Sequence, residues 1–197
     1  RGLHPDHAVV AGRRAAAAMT GQLGRLDLAP ADQRLDLLAA PVAAAVGPIS
    51  DVQVAAIDPD LADTAALCEA YDVSLDISAN CVVVTGKRAG VVRQAACVVL
   101  ATTRADVNGL VRRRLDARKA SFAAVDFVTE ATGMEYGGIT PVGLPEDWLL
   151  LVDSVVADTD VVVIGSGLRR SKIVLPGPAL AKLPGAEVVD GLGRPVD

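Results

Sequence analysis

The chain has 197 residues, 51% of them hydrophobic, with a net charge of −5 and only 3% aromatic residues. That length carries one domain with an appendage and a sizeable core, while the acidic balance and scarce aromatics exclude a global basic field or a broad stacking surface for single-stranded nucleic acid. No run of about 18 apolar residues and no charged-then-apolar leader occurs, so neither a membrane span nor a signal peptide is expected, and the expected compartment is the cytoplasm.

Cys68, Cys81 and Cys97 are odd in number, widely spaced and set in apolar stretches, which predicts reduced core thiols rather than disulfides or a metal site. His4 and His7 are the only histidines. A Ser-His-Asp or Cys-His arrangement would therefore have to recruit the extreme N-terminus, and nothing nearby completes a metal site around them. Neither a metal nor a cofactor is expected.

In chain order, residues 1–48 are rich in alanine and read as a helical appendage. One helix is expected over Val9–Met19 and a second over Pro30–Val46, whose Leu35, Leu38, Val42 and Val46 recur at helical spacing before Gly47-Pro48 stops the run. Its expected job is packing on the main domain or on a second copy of the chain. Residues 49–197 then form the main domain. Val52–Ile57 alternates as a strand, and a helix running to Tyr71 is expected to start with Asp60 as its N-cap and end at Asp72. A strand through Ile77–Val84 follows, then a loop at Thr85–Gly90 and a strand at Ala95–Ala101. Gly86-Lys87 lacks the spacing and the following helix of a phosphate loop.

Asp106 opens a helix that buries Val107, Leu110, Val111 and Leu115. A short strand over 117–123 and a helix over Val125–Thr132, capped by Gly133, deliver the chain to Gly137-Gly138-Ile139-Thr140-Pro141-Val142-Gly143. Glycines leave backbone N–H groups unshielded and Pro141 fixes the exit, so this stretch reads as a loop built to present amides to an oxygen or carboxylate. Short strands over 149–153, 161–164, 173–175 and 187–189, with a helix near 179–183 and no long helices between them, predict an α+β fold. Its centre is a mixed, largely antiparallel, barrel-like sheet flanked by helices. Gly165-Ser166-Gly167 follows a strand, but Arg170 stands where a dinucleotide fingerprint needs a glycine or alanine.

The Gly137–Pro141 loop, preceded by Thr132-Gly133 and followed by Val161–Gly167, resembles the YbaK and prolyl-tRNA-synthetase-associated editing domains over about Val52 to Val189. The resemblance implies an aminoacyl-tRNA deacylase that hydrolyses the ester of mischarged tRNA carrying a small amino acid. The residues it implicates in catalysis are Asn80, Gly137, Gly138, Thr140 and Pro141. Those it implicates in substrate binding are Thr64, Ala79, Ile139, Ser166 and Gly167. The family places a lysine on the strand that here reads Ile77-Ser78-Ala79-Asn80-Cys81. Anchoring on Ile77 puts Ala79 at that position and sliding by one puts Asn80 there; neither register supplies the lysine. The alternative reading is therefore a catalytically inactive module that holds an amino acid, an aminoacyl-tRNA or a protein. The expected partner is mischarged tRNA, met by the basic clusters at Arg112–Lys119 and Arg169–Lys172; no DNA or membrane partner is expected, and a homodimer is the candidate assembly.

Overall fold

A computed structural model describes residues 21–196. His4, His7 and the helix expected over Val9–Met19 lie outside the described residues. The first elements are short: strands β1 (Gln22–Leu23) and β2 (Leu26–Asp27) form a hairpin, β3 (Ala29–Pro30) follows, and α1 (Ala40–Ala45) comes after two 3-10 turns. Next are β4 (Gln53–Ala56), α2 (Thr64–Tyr71) and a long hairpin of β5 (Ala79–Arg88) and β6 (Val91–Leu100). β7 (Thr103–Ala105), a π-helical turn running into α3 (Arg112–Arg114), β8 (Lys119–Phe122) and α4 (Val125–Thr132) lead to the glycine-rich loop. Beyond it lie β9 (Leu149–Asp153), α5 (Ser154–Ala157), β10 (Val162–Gly165), β11 (Ser171–Leu175), α6 (Gly177–Leu180), β12 (Ala186–Val189) and β13 (Gly193–Pro195).

Two sheets carry the domain. One has the order β12-β9-β6-β5-β8 and the other β10-β11-β4-β3. A bridge between Ser78 and Val163 joins them at the foot of β5, which gives the curved, barrel-like body. Among the strands of the described residues β9 alone pairs in parallel, with β6 and with β12; the other strand pairings are antiparallel, and the short connections of β5–β6 and β10–β11 require that of those two hairpins. The main core lies between the sheets, around Val42, Val98, Val152, Ile164, Ile173 and Leu175.

Three local readings change. The helix expected over Pro30–Val46 is a strand end, two 3-10 turns and the six-residue α1. Pro41, at the start of α1, lacks the N–H and the steric freedom a longer helix would need. Residues Leu37, Leu38, Val42 and Val46 do bury together, but directly in the main core, and β3 pairs with β4. The helix to Tyr71 is capped by Asp63, whose carboxylate accepts from the Ala65 and Ala66 N–H groups, while Asp58 closes a separate 3-10 turn at Pro59–Leu61. Its other end is as expected, with Asp72 left-handed at φ 54°. Thr85–Gly90 is ladder rather than loop, because Ala89 (φ 49°) and Gly90 (φ 81°) make a two-residue turn. Positive φ at both central positions matches the twist of a tight hairpin, and the strand therefore runs through Lys87.

Candidate functional site

The glycine-rich loop is set against the β10–β11 turn by backbone bonds. The Gly167 N–H donates to the Gly138 carbonyl at 2.7 Å, the Glu135 N–H donates to the Gly167 carbonyl at 2.8 Å, and the Gly138 N–H is spent on the Glu135 carbonyl at 2.9 Å. Gly138 is buried, and a Cβ there would lie 2.7–2.8 Å from the backbone N, C and O of Leu168, so the close approach admits glycine alone. Among the described residues the amides of Gly137, Ile139 and Thr140 have no hydrogen-bond acceptor. Gly137 is exposed with φ 85°, whereas Thr140 and Pro141 are buried, and the Thr140 hydroxyl has no partner among the described residues.

Arg169 ties this loop to the segment before α2. Its guanidinium donates to the Tyr136 carbonyl at 3.1 Å and to the Pro59 carbonyl at 3.0 Å, and its N–H donates to the Glu135 carboxylate at 2.7 Å. Lys172 is buried and donates from Nζ to the Ala62 carbonyl at 3.0 Å. Arg170 donates to the Asp36 carbonyl. Of the Arg169–Lys172 cluster, expected to meet RNA phosphates, Lys172 is buried in β11 and bonded to the Ala62 carbonyl, while Arg169 and the exposed Arg170 donate to backbone carbonyls nearer the surface.

Burial lowers the Lys172 pKa from its ordinary value, against the pull of nearby Asp63. With a depressed folded-state pKa, the unfolded chain binds more protons than the folded one between that value and 10.5, so stability rises with pH across this window. A Lys172→Met chain should lack this rise. Thermal melts from pH 7 to 10.5 should show wild type gaining on the variant; parallel curves would contradict the assignment.

Asn80 and Thr64 meet. The Thr64 hydroxyl, on the first turn of α2, donates to Asn80 Oδ1 at 2.7 Å, which holds the amide of this half-buried side chain in one orientation. Ala79, its neighbour, is packed in the main core. Ser166 is fully buried and engaged by Ser171 Oγ at 2.7 Å and by the backbone of Leu168 and Ser171. Gly167 is buried beneath Ala39.

A cleft of about 330 Å³ opens beside the loop, lined by Cys81 and Val83 of β5, Phe122 at the end of β8, Val128 of α4, and Tyr136 and Ile139 of the loop. It contains Ile139 but not Asn80, Thr140 or Ser166, so those three do not converge on it. The outer edge of β5 is open here. β8 pairs with it only from Val84 to Lys87, and the Ala123 N–H then takes the Val83 carbonyl at 2.8 Å. Alternate residues of a strand turn their backbone groups to opposite sides, so Cys81 aims its N–H and C=O at this open edge. Burial pushes the Cys81 thiol up, helped by Cys97, and Cys97 up to about 12, so neither supplies a thiolate nucleophile.

The sequence reading missed the aromatic surround of this cleft. Phe122 and Tyr136 stand 63% and 64% exposed at its rim, and behind it Trp148 packs with the wall residues Val83 and Val128 and stacks on Phe127 at 6.0 Å. A 3% aromatic content says nothing about whether those few rings share one place.

Solved structures share this arrangement of sheets. One is named a candidate trans-editing enzyme for prolyl tRNA synthetase; it is 20% identical, with a TM-score of 0.66 over 84% of this chain and 98% of its own. A scaffold from an epitope-grafting study is 21% identical at a TM-score of 0.66, over 79% and 97% of the two chains. The hypothetical protein APE2540 is 22% identical at a TM-score of 0.64, over 73% and 91%. At these identities the likeness establishes the fold. A search of curated proteins returned no match. The family model of the aminoacyl-tRNA editing domain matches residues 58–183, from the turn ahead of α2 to the end of the loop after α6, and so takes in the Thr64–Asn80 pair, the glycine-rich loop and the cleft. With the larger part of its length in that match, the chain belongs to the aminoacyl-tRNA editing domain family.

Proposed function

We propose that this protein is an aminoacyl-tRNA deacylase that hydrolyses the ester of tRNA mischarged with a small amino acid. The observation that carries the reading is the apolar cleft of about 330 Å³ bounded by Ile139 of the glycine-rich loop, within the family match. A cleft at the small end of the ligand-pocket range, walled by Val83, Val128 and Ile139, suits a short apolar side chain rather than a charged or aromatic one.

In this reading water adds to the ester carbonyl carbon and the ribose oxygen leaves with a proton. The developing oxyanion is met by neutral donors: the Ile139 amide at the cleft, with those of Gly137 and Thr140 on the same loop, and the Asn80 amide, which lies outside the cleft lining, as the donor this reading adds from β5. Pro141 holds the exit of that loop. Thr64 serves by orienting Asn80, while Ser166, Gly167 and Ala79 act as the packed floor that positions β5 and the loop. The substrate's own hydroxyl is the proposed proton relay, taking the proton of the attacking water as it gives its own to the leaving ribose oxygen, since among the described residues the cleft lining holds no carboxylate or histidine.

A panel of tRNAs mischarged with small amino acids tests the reading. Release of at least one amino acid above the spontaneous rate is expected; no release from any of them would sink it. On the hydrolysed substrate, Thr64→Val should lower kcat/KM by roughly ten- to hundredfold through a misplaced Asn80 amide, with the melting temperature nearly unchanged. The second reading, a binding module without activity, is favoured by the lack of a cation at Ala79 and Asn80. It predicts that tRNA or an amino acid binds without turnover. The cytoplasm and a homodimer remain the proposed setting.

A further inference from the structure

Among the described residues Lys87, Arg118 and Lys119 have no side-chain hydrogen-bond partner, while Arg112 donates from Nε to the Asn108 carbonyl at 2.8 Å. Lys87, Arg112, Arg118 and Lys119 line one open groove of about 680 Å³ together with Thr85 and Ser121. Among the described residues none of these four cations has a carboxylate within ion-pair distance, although their neighbours do: Arg88 and Arg93 pair with Asp116, and Arg114 with Glu187. Lys87 and Lys119 also stand directly opposite each other across the β5–β8 ladder. Like charges so placed destabilise a sheet unless an anion sits between them. A lysine on the edge strand β8 deters unwanted strand pairing, but Lys87 is on β5, an interior strand, where that explanation fails.

The groove adjoins the cleft. On β5, Thr85 and Lys87 continue the face from which Val83 and Cys81 line the cleft, and Ser121 and Lys119 stand opposite them on β8. Phe122, which pairs with Val84, turns to the other face of the ladder and meets the cleft at its open edge, where it and Tyr136 are exposed. The face that carries the cations therefore runs to the mouth of an apolar cleft with two exposed rings at its rim. Cations followed by stacking rings are the elements with which proteins hold single-stranded nucleic acid.

We propose that β8 is the rail for the single-stranded 3′ end of tRNA: its phosphates lie between Lys87, Lys119, Arg118 and Arg112, and its terminal base stacks on Phe122 and Tyr136. The ester then hangs over the cleft. This rests on the deacylase reading for the identity of the RNA, and its test is independent of turnover. Binding of uncharged tRNA, intact or trimmed of its single-stranded 3′ nucleotides by a phosphodiesterase, is followed by fluorescence anisotropy across a salt series. For intact tRNA, the double variant Lys87→Gln/Lys119→Gln should weaken binding about tenfold and flatten the log–log salt slope by ~1.4, two single-strand phosphates' worth. Phe122→Ala should weaken it about five- to hundredfold. Trimmed tRNA should bind wild type and variants alike. All the substituted side chains are exposed, and melts should match wild type. Trimmed tRNA held as tightly as intact by wild type, a lysine variant binding intact tRNA like wild type, or a blunt RNA duplex competing as well as the 3′ strand would each overturn the rail. Turnover of mischarged tRNA with unchanged binding in the variants rejects the rail alone; the expected binding pattern without turnover rejects the deacylase alone.

Discussion

Gly138→Ala is expected to lower stability by about 3–5 kcal/mol, from overpacking together with lost backbone hydrogen bonds. The new methyl would sit 2.7–2.8 Å from three backbone atoms of Leu168, and backbone cannot swing aside as a side-chain tip can. Relief requires prising the loop from the β10–β11 turn, which breaks the pairings of Gly167 with Gly138 and of Glu135 with Gly167. For a chain of this size the loss should read as a drop of roughly 10 °C in melting temperature, with deacylation lost at temperatures where the fold survives. Gly47→Ala is the control: nothing lies within 4 Å of the added carbon and its φ is not positive, so a change within about 0.5 kcal/mol is expected. Equal melting temperatures for the two variants would show that the loop is not clamped as described.

Lysine placed at residue 79 and lysine placed at residue 80 should have opposite consequences for the fold. Ala79 is packed among core side chains and paired with Leu100. Ala79→Lys would bury an uncompensated ammonium, costing about 3–5 kcal/mol. Asn80 is half-buried and among the described residues its side chain is bonded to Thr64 alone, so Asn80→Lys should cost about 1 kcal/mol, the worth of that hydrogen bond. Chemical denaturation of both variants checks the contrast; a stable Ala79→Lys chain would contradict the burial. On mischarged tRNA, Asn80→Lys should cut the deacylation rate about tenfold if neutral amides do the work. A gain in rate would favour the reading as an inactive binding module.

The strands and helices with unambiguous local grammar were legible. α4 spans Val125–Thr132 and is closed by left-handed Gly133, and α2 ends on left-handed Asp72, because Gly and Asp accept that conformation at low cost. Legibility failed where two local signals competed. The leucine and valine spacing of residues 35–46 matched a helix stripe, yet Pro41 limited the helix to six residues; Leu38, Val42 and Val46 reached the core without a longer one, joined by Leu37, while Leu35 stays exposed. Asp58, Asp60 and Asp63 all suit an N-cap; only the turn at Pro59–Leu61 selects Asp63 for α2. Gly165-Ser166-Gly167 pointed to a polar pocket wall, but Ser166 is buried in a closed network with Ser171, which no local pattern encodes.

By itself the sequence determined the family likeness, the α+β fold class and the crowded glycine-proline loop. These rest on short-range grammar: which residues accept positive φ, which alternate, and which motif stands at which spacing. Only the tertiary structure decided which cations are free. Arg169 and Lys172 look as available in the sequence as Lys87 and Lys119, but Arg169 is engaged by the Tyr136 and Pro59 carbonyls and Lys172 by the buried Ala62 carbonyl, whereas Lys87 and Lys119 face each other across a ladder with no carboxylate near among the described residues. It also brought Phe122 and Tyr136 to the rim of one cleft and set the Phe127–Trp148 stack behind its Val83 and Val128 wall. Charge and stacking depend on neighbours in space, and those neighbours come from strands and loops far apart in the chain.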